Sequence, residues 1–299
     1  MVWQVRPPLV ELAELQEELV TEIAGVLETQ VYSLEIERAL KKPGDLTAWE
    51  AIARAWFAYR KWDEAARAEF LDEARRAVAI APDYAPGHAL LANGLANAYL
   101  VEPDDPDEVQ RIRAIAERAI ALAPDDPSVL ASVGIALCFT GYPEEGVRCT
   151  GRAVHKAPGS GLIHWQHGIV CLNLNRLEEA LAHLNTAERL APGSLMWIVK
   201  TWQSGAYREQ ERLAEAAVAR DLSISLNPTH AFDQVYKALL CVLDGRDAEA
   251  RSAIETARRM GMDFVLAERL WRRIHPNSPT LEADLAVVRA LYTAAEGAA

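Results

Sequence analysis

His164, His167 and Cys171 stand at i, i+3 and i+7 in a stretch of helical pattern. That spacing places two imidazoles and a thiol on one stripe, and such nitrogen and sulfur ligands suit zinc. Two carboxylate pairs, Glu144 with Glu145 and Glu178 with Glu179, recur at equivalent places, and paired acids can divide acid and base work. Each reading meets a physical objection. A zinc site needs a further ligand that this helical spacing does not supply. Neighbouring residues on a helix point apart, and acids gather in first turns because the helix dipole favours them there. The three ligand-type residues are therefore expected to be packed helix positions and the acids helix starts, with no metal and no cofactor. No GxSxG, HExxH or P-loop spacing occurs, and no nucleophile, base and oxyanion set converges, so the chain is expected not to be an enzyme. The four cysteines, Cys138, Cys149, Cys171 and Cys241, show no CxxC spacing and read as small apolar residues in a reducing cytoplasm.

The elements that carry these residues repeat. Gly134 and Gly168, Ala153 and Ala187, and Pro158 and Pro192 are each about 34 residues apart, the period of a tetratricopeptide (TPR) unit. Such a unit is a helical hairpin that cannot bury its apolar face alone, so units stack into a solenoid with a concave binding surface. The predicted fold is an all-α TPR-type solenoid. Residues 1–45 are expected to form an N-terminal helical linker or cap, with Leu9, Leu12, Leu15, Leu19, Ile23, Leu27 and Val31 on one stripe. Six repeats follow over about 46–84, 85–126, 127–160, 161–194, 195–230 and 231–262, and residues 263–299 are expected to cap the stack. The second repeat's extra length is assigned to the loop Glu102–Asp107. In the fifth, Trp202 falls where a small residue is usual.

Positions 2, 5, 6, 9, 12 and 13 of each first helix line the concave face of TPR arrays. Here the aligned repeats predict a largely apolar groove containing Ile135, Phe139, Leu162, Trp165, Ile169, Val235, Tyr236 and Leu239. Only Arg54, Asn93, Asn97 and Lys200 offer the groups that chaperone-binding TPR domains use to clamp a carboxylate, so a clamp is not supported. Contiguous apolar surface must be covered. A protein or peptide partner, or a segment of the same chain such as the N-terminal helix, is expected to cover it. Net charge of −12 opposes direct binding to nucleic acid, no apolar run is long enough to span a membrane, and a homo-oligomer is open.

Trp3, Leu12, the run Leu15 to Val20, Ile23-Ala24, Glu37 to Pro43 and Leu46 to Trp49 give a more specific likeness. They resemble the segment joining a TolB-like α/β domain to the TPR array of bacterial class III adenylate cyclase-like proteins and winged-helix transcription activators. The resemblance implies an N-terminal effector followed by a TPR sensor or interaction region. Neither effector lies within the 299 residues, so no catalytic or DNA-contacting residue carries over, and the chain is expected to be truncated near Trp3. The expected function is a protein-interaction module in a signalling or transcription regulator; the alternative is a freestanding scaffold or assembly factor.

Overall fold

The computed structural model describes Leu34 and residues 47–59, 63–190, 193 and 196–297. The predicted N-terminal helix lies outside these residues, as does nearly all of the segment that resembles the regulator group. Among the described residues are fourteen helices and no strand, so the chain is an all-α TPR-type solenoid.

Six hairpins follow in order. They are α1 (Ala48–Tyr59) with α2 (Glu64–Ile80), α3 (Ala85–Tyr99) with α4 (Pro106–Leu122), and α5 (Pro127–Phe139) with α6 (Pro143–Lys156). Next come α7 (Gly161–Asn173) with α8 (Leu177–Leu190), α9 (Met196–Glu209) with α10 (Leu213–Leu226), and α11 (Ala231–Leu243) with α12 (Asp247–Arg259). Two further helices, α13 (Phe264–Ile274) and α14 (Leu281–Gly297), end the chain. Local chemistry sets the boundaries. The carboxylates of Asp63, Asp105, Asp126 and Asp263 accept from backbone amides of the helices they precede. Pro86, Pro106, Pro127 and Pro143 sit in first turns, where a missing N–H costs nothing. Glu144, Glu145, Glu178 and Glu179 also occupy first turns.

Hairpins three to six each close where two small residues meet. A Cβ added at Gly134 would stand 2.8 Å from the Gly146 carbonyl, and one at Gly168 would stand 3.2 Å from the Ala180 carbonyl. The same twelve-residue offset joins Ala238 to Ala250, both fully buried, and Ser204 to Ala216, whose carbonyl accepts from Ser204 Oγ at 2.8 Å. In the fifth repeat the small residue is thus Ser204, not the residue at Trp202.

The turns confirm this shift. Gly141, Asn175, Glu211 and Gly245 all have positive φ, and the amide of the next residue returns to the carbonyl five places back in each of these four repeats. Counting back from Glu211 starts the fifth repeat at Trp197, two residues later than its proline spacing indicates. That moves Lys200 off the groove register. Its ammonium pairs with Glu188 of the preceding helix at 2.7 Å.

The second repeat also differs in detail from its sequence reading. Its extra length is shared by a longer α3, the loop and a 17-residue α4, because Asp105 caps a helix that already begins at Pro106. At the far end, α14 packs on α11, α12 and α13 and buries Leu285, Val288 and Tyr292, so it closes the stack as expected. The other C-terminal helix, α13, does something else.

Candidate functional site: a groove occupied by its own chain

The corrected register puts Ile198, Thr201, Trp202, Gly205, Arg208 and Glu209 of α9 on the concave face, alongside the lining of α5, α7 and α11. The superhelix is wound tightly enough for distant repeats to touch across this face. Tyr59 of the first repeat meets Trp165 of the fourth edge-on at 5.7 Å, and Phe139 of the third stacks on Trp202 of the fifth at 6.4 Å.

Into the remaining space comes α13. Its apolar stripe, Ala267, Leu270, Trp271 and Ile274, repeats at steps of three and four, while Val265 and Arg272 face solvent. Trp271 is 1% exposed; its ring stacks on Tyr236 at 5.0 Å and meets Phe232 edge-on at 5.5 Å. Two arginines reach the opposite wall. Arg269 donates to the Val101 carbonyl at 2.5 Å; Arg273 donates to the Tyr99 carbonyl, lies over the Tyr99 ring at 4.1 Å and pairs with Asp104 at 2.6 Å. These carbonyls lie at or just beyond the C-terminal end of α3, where the negative end of the helix dipole suits cations.

The chain leaving α13 stays in the groove. Asn173 Nδ2 donates to the Arg273 carbonyl at 3.1 Å, Asn277 Nδ2 donates to the Asn173 carbonyl at 2.9 Å, and Ser278 Oγ donates to Glu209 at 2.8 Å. Arg208 pairs with Asp284 at 2.6 Å, both buried. Burial pushes the His275 ring down to about 3, so the docked imidazole is neutral.

A cavity of about 260 Å³ persists between α13 and the repeats. Among the predicted groove residues, Ile135, Phe139, Trp165, Ile169 and Tyr236 line it, whereas Leu162 lines a separate cavity of about 230 Å³ with Trp49 and Trp56. Val235 and Leu239 are fully buried in the core. Trp165 Nε1, Trp202 Nε1 and the Tyr236 hydroxyl have no hydrogen-bond partner among the described residues. A buried polar group left so costs about 1–3 kcal/mol. Asn93 and Asn97 also line the cavity but bond to each other, with Asn97 Nδ2 donating to Asn93 Oδ1 at 2.8 Å. Arg54 lies 3.9 Å from Glu73.

Beneath Tyr236 is a buried polar cluster. Arg220 donates to Asp233 and lies over the Tyr236 ring at 4.3 Å. Asp233 also accepts from Ser223 at 2.6 Å and lies 3.0 Å from His230. Burial raises the Asp233 pKa, but Arg220 and His230 together outweigh it and hold the carboxyl well below the usual range. Sequence pattern did not reveal this pair, since Arg220 and Asp233 belong to different hairpins.

On α7, His164, His167 and Cys171 do occupy packed positions, yet α8 brings Glu179 and His183 against them. A ligand atom from each of His167, Glu179 and His183 lies within 4.8 Å of the other two. The hairpin register could have shown this. Gly168 faces Ala180, so four residues back on α7 and three forward on α8 bring His164 opposite His183. Burial pushes the His183 ring down to about 4 and lowers His164 and His167 as well, keeping all three neutral near pH 7.

No protein-family model matches the sequence, and no curated protein matches it. Solved structures share the fold. A monomeric IFIT1 mutant solved with Gppp-AAAA is 13% identical, with a TM-score of 0.62 over 87% of this chain and 61% of that one. The Cut9 and Hcn1 hetero-tetramer of the APC/C gives 14% identity and a TM-score of 0.58 over 85% of this chain and 47% of that one. The chain therefore spans less than two thirds of either. YrrB, a TPR protein with an unusual peptide-binding site, is a looser likeness at 17% identity and a TM-score of 0.43, covering 65% of this chain and 95% of that one. At these identities the first two likenesses show the fold alone, a TPR-type solenoid.

Proposed function

We infer that this chain is a protein-interaction scaffold whose concave groove receives an amphipathic helical segment of a partner, with α13 holding the groove until it is displaced. One observation carries the reading. The seat of α13 supplies an aromatic slot for one indole and, opposite it, helix-end carbonyls and Asp104 for two cations. A competing segment would need the same chemistry, an apolar stripe with a tryptophan and basic residues beside it. The net charge of −12 favours such a basic partner and disfavours a polyanion. Partner carbonyls or side chains could also satisfy the unpartnered donors of Trp165 and Trp202. In this reading Ile135, Phe139, Leu162, Trp165, Ile169, Val235, Tyr236 and Leu239 form or support the contact surface.

The residues resembling the regulator group extend the proposal. They support a sensor region that conveys groove occupancy to an attached effector in a bacterial, cytoplasmic regulator. A freestanding scaffold would use the same groove without an effector, and reading the coding sequence upstream of Met1 separates the two. No helix among the described residues is long and apolar enough to cross a membrane.

The test uses a labelled peptide with the sequence of residues 263–279 and the full chain carrying Arg273→Glu, which loosens the resident helix. The loosened chain is expected to bind this peptide more tightly than the wild type does, since displacing a well-seated segment weakens apparent affinity. Replacing the tryptophan of the peptide by alanine should cost about 2 kcal/mol or more, as for a buried aromatic anchor. A folded variant that ignores the peptide, or that binds the alanine peptide equally well, defeats the reading.

A further inference from the structure

We propose that His167, Glu179 and His183 form a binding site for a divalent zinc-class ion at the junction of α7 and α8. The ligand set is two imidazoles and a carboxylate, and it spans both helices of one hairpin. Glu179 and His183 are one turn apart on α8, so their side chains share a face, and His167 approaches from α7.

Distances and hydrogen bonds agree. Ligands on one tetrahedral zinc ion lie roughly 3.3–3.7 Å from each other, given bond lengths of about 2.0–2.3 Å. His167 Nε2 is 3.5 Å from Glu179 Oε1, with Cys171 Sγ a further neighbour at 3.6 Å. The outer nitrogens are already engaged. Thr150 Oγ1 donates to the Gly146 carbonyl at 3.1 Å and lies 2.7 Å from His167 Nδ1, which then carries the proton and donates to it. His164 Nε2 donates to the Pro158 carbonyl at 2.9 Å, leaving its Nδ1 to accept from His183 Nδ1 at 2.8 Å. Both His167 and His183 are thereby left with an unprotonated Nε2, the tautomer a metal needs, fixed by outer partners, and that of His167 accepts from the Cys171 thiol.

Unprotonated His167 Nε2 and the Glu179 carboxylate face each other 3.5 Å apart, two electron-pair donors at the separation of two ligands on one zinc ion. A zinc ion held there ties α7 to α8, and keeps its fourth position for water on the side where Glu179 is 44% exposed. Imidazole nitrogens suit zinc, whereas magnesium and calcium take oxygen ligands. The fourth protein ligand missing from the helical spacing is not required, because the second helix supplies two.

The experiment is reconstitution of the untagged full chain, stripped with chelator, followed by zinc titration against a chromophoric competitor and by melting with and without zinc. Stoichiometric binding and a zinc-dependent rise in melting temperature are expected. Glu179→Gln, at a partly exposed position that keeps the fold, should lose at least the roughly 10–100-fold that removal of an outer partner costs. His183→Gln should do the same, and Thr150→Val, which keeps shape while removing the hydroxyl, should weaken zinc by roughly 10–100-fold. Substoichiometric zinc in the wild-type chain overturns the proposal, as does undiminished affinity in folded Glu179→Gln and His183→Gln.

Discussion

Replacing Trp271 by alanine is expected to destabilise the chain by about 3–5 kcal/mol, the cost of truncating a fully buried tryptophan. The indole is 1% exposed between Tyr236 and Phe232, and no other side chain of α13 is comparably large and buried. Removing it leaves a void in the groove that rigid flanking helices fill poorly. Denaturant unfolding should record the loss. The same substitution should weaken the seat of α13 more than it weakens the repeats, because hairpins one to four make their core contacts without it. A folded chain with an unchanged midpoint would mean that α13 contributes little where it lies.

Arg220→Met is expected to cost about 3–5 kcal/mol at neutral pH, since it strands the buried Asp233 carboxylate. Arg220 is 2% exposed and Asp233 0% exposed, and each has further partners: the arginine donates to the Ser204 hydroxyl and the Thr201 carbonyl, and the acid accepts from the Ser223 and Thr201 hydroxyls. The pH dependence gives a second check. Asp233 has a lowered pKa when folded, so its contribution is present above the unfolded carboxylate value of about 3.9 and is lost as pH falls through the folded value. In Arg220→Met the carboxyl has lost its main stabilising charge and takes up a proton more readily. The deficit against wild type should therefore shrink on acidification. Urea midpoints at neutral and acid pH measure it, and a deficit that grows with acid would contradict the account. The double variant Arg220→Met with Asp233→Leu should recover much of the loss, because an apolar pair of similar volume needs no charge.

Much of the architecture was legible because TPR hairpins impose several signals at once. Gly134, Gly168 and Ala238 mark close helix contacts, prolines mark starts, and Gly141 and Gly245 mark turns. The fifth repeat misled because two extra residues precede its first helix, and proline spacing counts those while the helical contact does not. Ser204 and Glu211 hold its true register. Trp202 then becomes a groove residue rather than an anomaly.

The groove's covering was less legible. Apolar concave positions required a lid, but nothing in their pattern says which segment provides it. The stripe Ala267, Leu270, Trp271 and Ile274 was available in the sequence, yet helices that cap a stack and helices that enter a groove share the same periodicity. What distinguishes α13 is non-local: Arg269 and Arg273 find partners about 170 residues earlier in the chain. The zinc-class cluster is intermediate. Its α7 half could be read from spacing, and its α8 half needs the register of the hairpin.

Amide hydrogen exchange across residues 264–274 of the intact chain tests most directly whether the groove is held by its own C-terminal segment. The account predicts that the backbone amides of α13 are protected to a degree comparable with α11, on which Trp271 packs, and that saturating the groove with the competing peptide releases that protection while leaving the repeats unchanged. Exchange of α13 at unprotected rates in the free chain, with α11 fully protected, would contradict it.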